Sequence, residues 1–304
     1  MPFYTIQERQ SGRAKRSKRD EKDNESQRKV KNELEMGTTP NISRRSQLID
    51  PLPIYTMWLR QMIRFFRMKA RVVSSIVTPF LFLAFLGVPM SFMPAGNIPG
   101  IPPGMNFLDF LAPGIVGMTL LFSSMFGGAS VIWDKEFGFL KEVLVAPVSR
   151  FSIILGREAG AMTTSILQAL AIIIIAALMG VRIQSLAGFG LSLVFMILTS
   201  TTFIGLGLIL ATKLGEMEGF ISIINMIQLP LFFLSGALFP LDAMPVWIRY
   251  IMYINPLTYG VDGLRGSLVG GAAFPLTLDF VILLVWSIVL AGLGTRFFST
   301  IEAD

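Results

Sequence analysis

The sequence predicts an all-α membrane protein with six transmembrane helices, and three observations carry that reading. The first is the spacing of charge. After Arg71 the charged residues divide the chain into uncharged runs of 37 residues (to Asp109), 24 (to Asp134), 23 (Glu158 to Arg182), 30 (to Lys213) and 23 (Glu218 to Asp242). A helix needs about 20 apolar residues to cross the hydrocarbon core, where every backbone polar group must be satisfied internally. The second is composition, 53% hydrophobic against 15% charged. The third is asymmetry: with the N-terminus inside, 23 Lys and Arg residues fall on the cytoplasmic side and only Arg182, Arg249 and Arg265 outside. Cytoplasmic segments carry an excess of Lys and Arg, so both termini are predicted to be cytoplasmic.

Residues 1–50 are dense in Arg, Lys, Glu, Asp, Ser, Asn and Gln. Such a segment buries too little apolar surface to offset its ordering entropy, so it is predicted to be a disordered charged tail. Residues 51–71 follow Pro51 and Pro53. There Arg60, Arg64, Arg67 and Arg71 recur at helical spacing, with Trp58, Met62, Phe65 and Phe66 assigned to the opposite face. The pattern predicts a helix lying in the membrane interface, its apolar side in the acyl boundary and its arginines toward lipid headgroups. The six-span domain occupies 72–304. Its spans are expected at Val72–Met90, Phe110–Ile132, Ala159–Val181, Phe189–Ala211, Gly219–Leu238 and Phe274–Leu293, with Asp279 at an interface.

The connections differ in character. Ser91 to Asn106 is uncharged and rich in Pro and Gly, an irregular outer loop. Phe239 to Arg265 offers Asp242 as an N-cap, Pro245 in a first turn, the interfacial aromatics Trp247, Tyr250, Tyr253 and Tyr259, and a break at Asn255-Pro256. Because a residue before proline is driven out of the helical region, two short helices are expected there, dipping toward the outer headgroups as a re-entrant element. Asp134 to Arg150 mixes apolar residues at helical spacing (Phe137, Leu140, Leu144) with Glu136, Lys141 and Glu142, and Pro147 ends the run. An exposed helix of that kind suits a protein contact better than lipid.

Several chemistries are excluded. The chain has no Cys and no His, which removes disulfides, thiolate or imidazole metal sites and nucleophile-histidine catalysis. No carboxylate pair shares one membrane depth, so an enzyme is a distant reading. No phosphate-binding loop occurs, and the Gly-Lys dipeptide is absent. The basic balance belongs to residues 1–71 and reads as headgroup-facing rather than as a nucleic-acid interface. No charge falls near the middle of any expected span, which argues against an ion-driven carrier. The polar residues inside the spans are Thr163, Thr164, Gln168, Thr199 to Thr202, Ser222, Asn225 and Gln228. They serve either interhelical hydrogen bonding or pathway lining; Asn225 and Gln228, three apart before Pro230, are the candidate lining pair.

The stretch Trp133 to Arg150 (WDKEFGFLKEVLVAPVSR) and the stretch Phe232 to Arg265 (beginning FFLSGALFPLDAMPVWIRY) closely resemble ABC-2 type permeases, the membrane subunits of ABC exporters, and among them the daunorubicin-resistance type of drug-efflux permease. The resemblance runs from about Ile54 to Glu302. It implies a homodimer of six-span subunits in the cell membrane, paired with two copies of a separate subunit that binds ATP and Mg. In that reading Asp134 to Pro147 matches the coupling helix, with Glu136, Phe137, Leu140, Lys141, Glu142, Leu144 and Pro147 as contact residues. Ile54 to Arg71 matches the interfacial connecting helix, and Pro240 to Arg265 the outer re-entrant element, with Pro240, Asn255, Pro256 and Tyr259 at the exit. Substrate stays open between a hydrophobic drug, a lipid and a lipid-linked glycan. The competing class is a membrane assembly protein or an unpowered channel, which a neighbouring gene for a soluble phosphate-loop ATPase would disfavour.

Overall fold

The computed structural model describes residues 51–92, 100–101, 104–136 and 150–299, which belong to one compact unit, Gln47–Asp304. The charged tail, and the contact residues from Phe137 to Pro147, lie outside the described residues. Among the described residues the regular structure is entirely helical.

Helix α1, Pro51–Arg67, ends at Met68, whose backbone leaves the helical region (φ −88°, ψ 64°). The second helix, α2, runs Lys69–Phe82 and continues through a π turn at Leu83–Gly87 into α3, Val88–Ser91. Pro89 has no amide proton to give the carbonyl four residues back, and the ladder widens just before it, with Val88 N–H donating to the Leu83 carbonyl. Then come α4 (Phe107–Gly127), α5 (Ala129–Glu136), α6 (Arg150–Leu178), α7 (Leu186–Leu214) and α8 (Met217–Phe233). A 3-10 turn at Leu241–Ala243 leads to α9 (Val246–Ile254), α10 (Pro256–Val269) and α11 (Leu276–Ser299). Among the described residues five stretches are long and apolar enough to span a membrane: Val72–Ser91, Phe107–Asp134, Phe151–Leu178, Leu186–Leu214 and Leu276–Phe298. These coincide with five of the six expected spans.

The expected fifth span, Gly219–Leu238, is cut short. Helix α8 has 17 residues and stops at Phe233, because Pro230 weakens its last turn and the chain turns through left-handed Gly236 (φ 73°). Asp242 is not the cap of α9 either. That position is held by Pro245, and Asp242 sits in the 3-10 turn with no capping bond.

Small residues let the spans touch at the backbone. A Cβ on Gly205 of α7 would stand 2.6 Å from the backbone of Leu290 in α11, and one on Gly128 would collide with the Gly207 backbone. The same device seats α1: added Cβ atoms at Gly156 and Gly160 of α6 would each stand 2.6 Å from an α1 atom, the Ile54 carbonyl and Gln61 Cβ. That G-x-x-x-G spacing puts both glycines on one face, and a whole helix lies on it. Span Val72–Ser91 and α11 are the most exposed, with 17% of an 18-residue window of each buried against 78% for Phe107–Asp134. The bundle therefore has two ends. One carries α1 and Asp134, and the distal one carries α9 and α10.

Candidate functional site

The α1 end is organised by one carboxylate. Asp134, in the last turns of α5, is buried, and three guanidinium groups from two helices surround it. Arg60 donates through both Nη atoms, to Oδ1 and at 3.3 Å to Oδ2. Arg157 of α6 brings Nη2 to 2.6 Å from Oδ2, and its guanidinium also stands 5.6 Å from the Phe298 ring of α11. Arg64 stands off at 3.7 Å, beyond hydrogen-bond distance, and lies 5.4 Å over the Trp133 ring. Burial lowers the Arg64 pKa, Asp134 raises it and Arg60 lowers it further. Further along α6, Trp58 donates Nε1 to Thr163 Oγ1 at 3.1 Å. The α1 helix is thus tied to α6 and to the last turns of α5.

This changes the expected faces of α1. Trp58, Met62 and Phe65 turn into the protein with Gln61, and Arg60 and Arg64 reach Asp134 instead of lining up toward headgroups. The outward stripe is Leu52, Tyr55, Leu59, Ile63 and Phe66, each more than a third exposed and spaced by three or four residues. Arg67 is exposed at the helix end, and Arg71 belongs to α2, past the break at Met68. The α1 helix is amphipathic, as expected, but with a different residue set on its apolar outer face.

Beside the arginines a cavity of about 440 Å³ opens between the end of α1, α2, α4 and α6. Its walls alternate aromatic rings (Phe65, Phe122, Phe126) with hydroxyls, among them Ser75, Ser123 and Thr164. The hydroxyl protons are spent on carbonyls of the preceding turn: Ser75 on Val72, Ser123 on Thr119, Thr164 on Ala161. Deeper in the bundle Ser200 links Ser124 (2.9 Å) and Ser165 (2.6 Å), so the polar residues of three spans are largely interhelical and intrahelical bonding. Gln228 is buried and donates to the Phe122 carbonyl at 3.5 Å, whereas Asn225 is exposed. The structure does not bring the two onto one surface.

The distal end is held by a second buried arginine. Arg265 of α10 is 2% exposed, donates Nε to the Phe110 carbonyl (3.2 Å) and Nη2 to the Gly236 carbonyl (2.9 Å), and stacks 3.8 Å from the Phe110 ring. Asp262, one turn earlier, receives the Ala273 and Phe274 amides and stands 3.8 Å from Arg265 Nη1. Asp279, expected at an interface, is fully buried. Asn255 is the break foreseen between α9 and α10: its Oδ1 caps α10 through Leu257 N–H (3.0 Å), and its Nδ2 donates to the Leu231 and Leu234 carbonyls left open at the end of α8 (2.7 and 2.9 Å). Pro256 occupies the first position of α10, Tyr259 donates to the Tyr253 carbonyl at 2.7 Å, and Pro240 is buried against Gly100 of the outer loop. Sequence reasoning missed Arg265, Asp262 and Arg157. The one signal was the cost of leaving a charge in an otherwise apolar neighbourhood.

Helices this apolar, packed through glycines, define a membrane-embedded protein. Residues 53–269 match the family model of the ABC-2 type transporter, so the chain belongs to that family. It is similar to ycf38 of Cyanophora paradoxa, a protein named as a transport permease (31% identical over 215 residues, 70% of this chain and 72% of the relative). It is also similar to the inner membrane transport permease YadH of Escherichia coli K12 (24% over 253 residues, 79% and 96%) and to nodulation protein J of Rhizobium leguminosarum bv. viciae (24% over 222 residues, 72% and 83%). The chain is a multi-pass cell-membrane transport permease of the ABC-2 family.

Proposed function

We propose that the chain is the permease subunit of an ABC exporter, moving a hydrophobic or amphiphilic, drug-like substrate outward with ATP and Mg bound on a separate subunit. The observation that carries this is the Asp134 knot. In a chain without a phosphate-binding loop, energy must arrive by contact, and Asp134 stands three residues before Phe137, the first apolar residue of the contact segment. A displacement delivered there reaches α1 through Arg60, α6 through Arg157 and the cavity through Arg64 and Trp133. Glu136, exposed beside the knot, and Phe137, Leu140, Lys141, Glu142, Leu144 and Pro147 are the contact surface for the ATPase.

Two copies of the chain and two ATPase copies form the transporter, with both termini cytoplasmic. The exposed apolar stripe of α1 supports an interfacial position for that helix, and the α9–α10 pair, with Pro240, Asn255, Pro256 and Tyr259 at its joints, is the outer re-entrant element and exit. Co-purification of a soluble ATPase with the tagged chain, followed by ATP-dependent accumulation of a hydrophobic dye in inside-out vesicles, tests the reading. A chain that purifies without an ATPase and moves nothing on ATP addition overturns it.

A further inference from the structure

The cavity beside α1 has a polarity that its position alone does not require. Among the described residues its one charged lining residue is Arg64, at the α1 end, next to the Trp133 ring. Around Asp134 there are three guanidinium groups for one carboxylate, and the two carboxylate oxygens are already engaged by Arg60 and Arg157. Arg64, 3.7 Å away, makes no hydrogen bond to that carboxylate, and of the trio it is the one that lines the cavity. From Arg64 the walls become apolar, between Pro79 on α2 and Phe122 and Phe126 on α4, and they are interrupted by hydroxyl oxygens. The lining on α4 and α5 runs from Trp133 to Thr119, 14 residues, or about 21 Å at a helical rise of 1.5 Å per residue.

A second observation points to a ligand. Gln168 of α6 is 7% exposed, lines the same cavity, and its Oε1 has no hydrogen-bond partner. A buried amide left with an open group costs stability unless something fills it, and rotation about its last bond offers the cavity either an acceptor or a donor. Gln168 lies five residues beyond Thr163, where α1 is pinned, so it stands about 7.5 Å deeper than that hydrogen bond. The volume of about 440 Å³ lies within the range of small-molecule sites, about 300–1,000 Å³.

We propose that this cavity binds an amphiphile with a single anionic head, the head against Arg64 and Trp133, a hydrogen-bonding group at Gln168, and the tail between α2 and α4. A neutral or cationic amphiphile would leave the Arg64 donors without an acceptor, and among the described lining residues a polyanion would find one cation. Two sources share this chemistry, an anionic bilayer phospholipid and an exported acidic amphiphile. The proposal rests on the permease reading only for the second source.

The test uses the full-length chain in nanodiscs and two photoactivatable probes, a phosphatidylglycerol and a phosphatidylcholine with the diazirine on the acyl chain, followed by peptide mapping. The phosphatidylglycerol probe is expected to label segments 64–79 and 119–133 in preference to the phosphatidylcholine probe. Arg64→Gln should lower that labelling about tenfold, the worth of one charge-assisted hydrogen bond, while Arg64→Lys largely keeps it. Ser123→Phe, which fills the cavity without touching the arginines, should abolish labelling in a chain that still elutes as a single species. Equal labelling by the two probes, or labelling indifferent to Arg64→Gln and Ser123→Phe, overturns the proposal. ATP added to the chain with its co-purified ATPase then separates the sources: label lost on turnover marks cargo, and label retained marks a resident lipid, both upholding the site. Should no ATPase be found while anionic-selective labelling persists, the permease reading fails and the site stands.

Discussion

Replacing Asp134 by Asn removes the one charge that three arginines share, and the exposure of each partner sets the size of the effect. The Arg157 and Asp134 side chains are 9% and 3% exposed, so removing the carboxylate strands a buried cation at a cost of about 3 kcal/mol. Arg60 and Arg64 are 33% and 27% exposed; solvent screens their charge, and each loses less than about 1 kcal/mol. Asp134→Asn should therefore lower unfolding stability by about 4 kcal/mol, and Arg60→Gln by under about 1 kcal/mol. The assay is equilibrium unfolding in mixed dodecylmaltoside and dodecyl sulfate micelles, run as a double-mutant cycle with Arg157→Gln. The two changes should couple strongly, because once Arg157 is neutral the lost carboxylate strands nothing buried. Additivity within about 0.5 kcal/mol would refute the reasoning, since independent sites behave that way.

Other outcomes follow from the same geometry. Asn255→Ala should cost about 2–3 kcal/mol in the same unfolding assay, from the lost cap and two carbonyls of α8 left without a donor, whereas Asn255→Asp should recover only the cap. Arg265→Lys should behave as a damaging change, because a single ammonium cannot reach both the Phe110 and Gly236 carbonyls and stack on the Phe110 ring; melting temperature and folded yield report it. Gly207→Ala should abolish folded yield through its collision with the Met125 backbone, while Gly190→Ala, with open space around it, should leave yield unchanged on gel filtration. In the reconstituted complex, Phe137→Ala or Leu140→Ala should leave membrane abundance intact and uncouple ATP hydrolysis from transport, as expected for apolar anchors worth about 2 kcal/mol each.

Five spans and the joint at Asn255-Pro256 were legible because each has a local cause: an uncharged run of helical length, or a proline that fixes its neighbour's backbone. The shortening of α8 was less so, since Pro230 weakens a helix but does not say where the chain turns next. The knots were not legible. Asp134 and Glu158 served in the sequence as boundary markers, charges at which a span must stop, yet Asp134 lies within α5 and Arg157, next to Glu158, within α6, where Asp134 and Arg157 pair. Arg60 showed its helical periodicity but not its partner, 74 residues away. Arg265 read as one more outer charge, when its carbonyl partners lie 155 and 29 residues back along the chain. Periodicity reports which face a residue shares, and not which distant surface that face will meet.

The remoteness of those last partners has a consequence for biogenesis. Ribosomes deliver Phe110 and Gly236 well before Arg265, so the two carbonyls wait in the translocon or the bilayer without their guanidinium. Until α10 is inserted, the guanidinium that bonds both the start of α4 and the turn after α8 is missing, and the distal half of the bundle lacks that clasp. A nascent chain arrested at residue 264 should therefore be open to protease at that end although most of its spans are already made. Quality control that senses an unclasped distal half would in effect count the chain to its second-to-last helix.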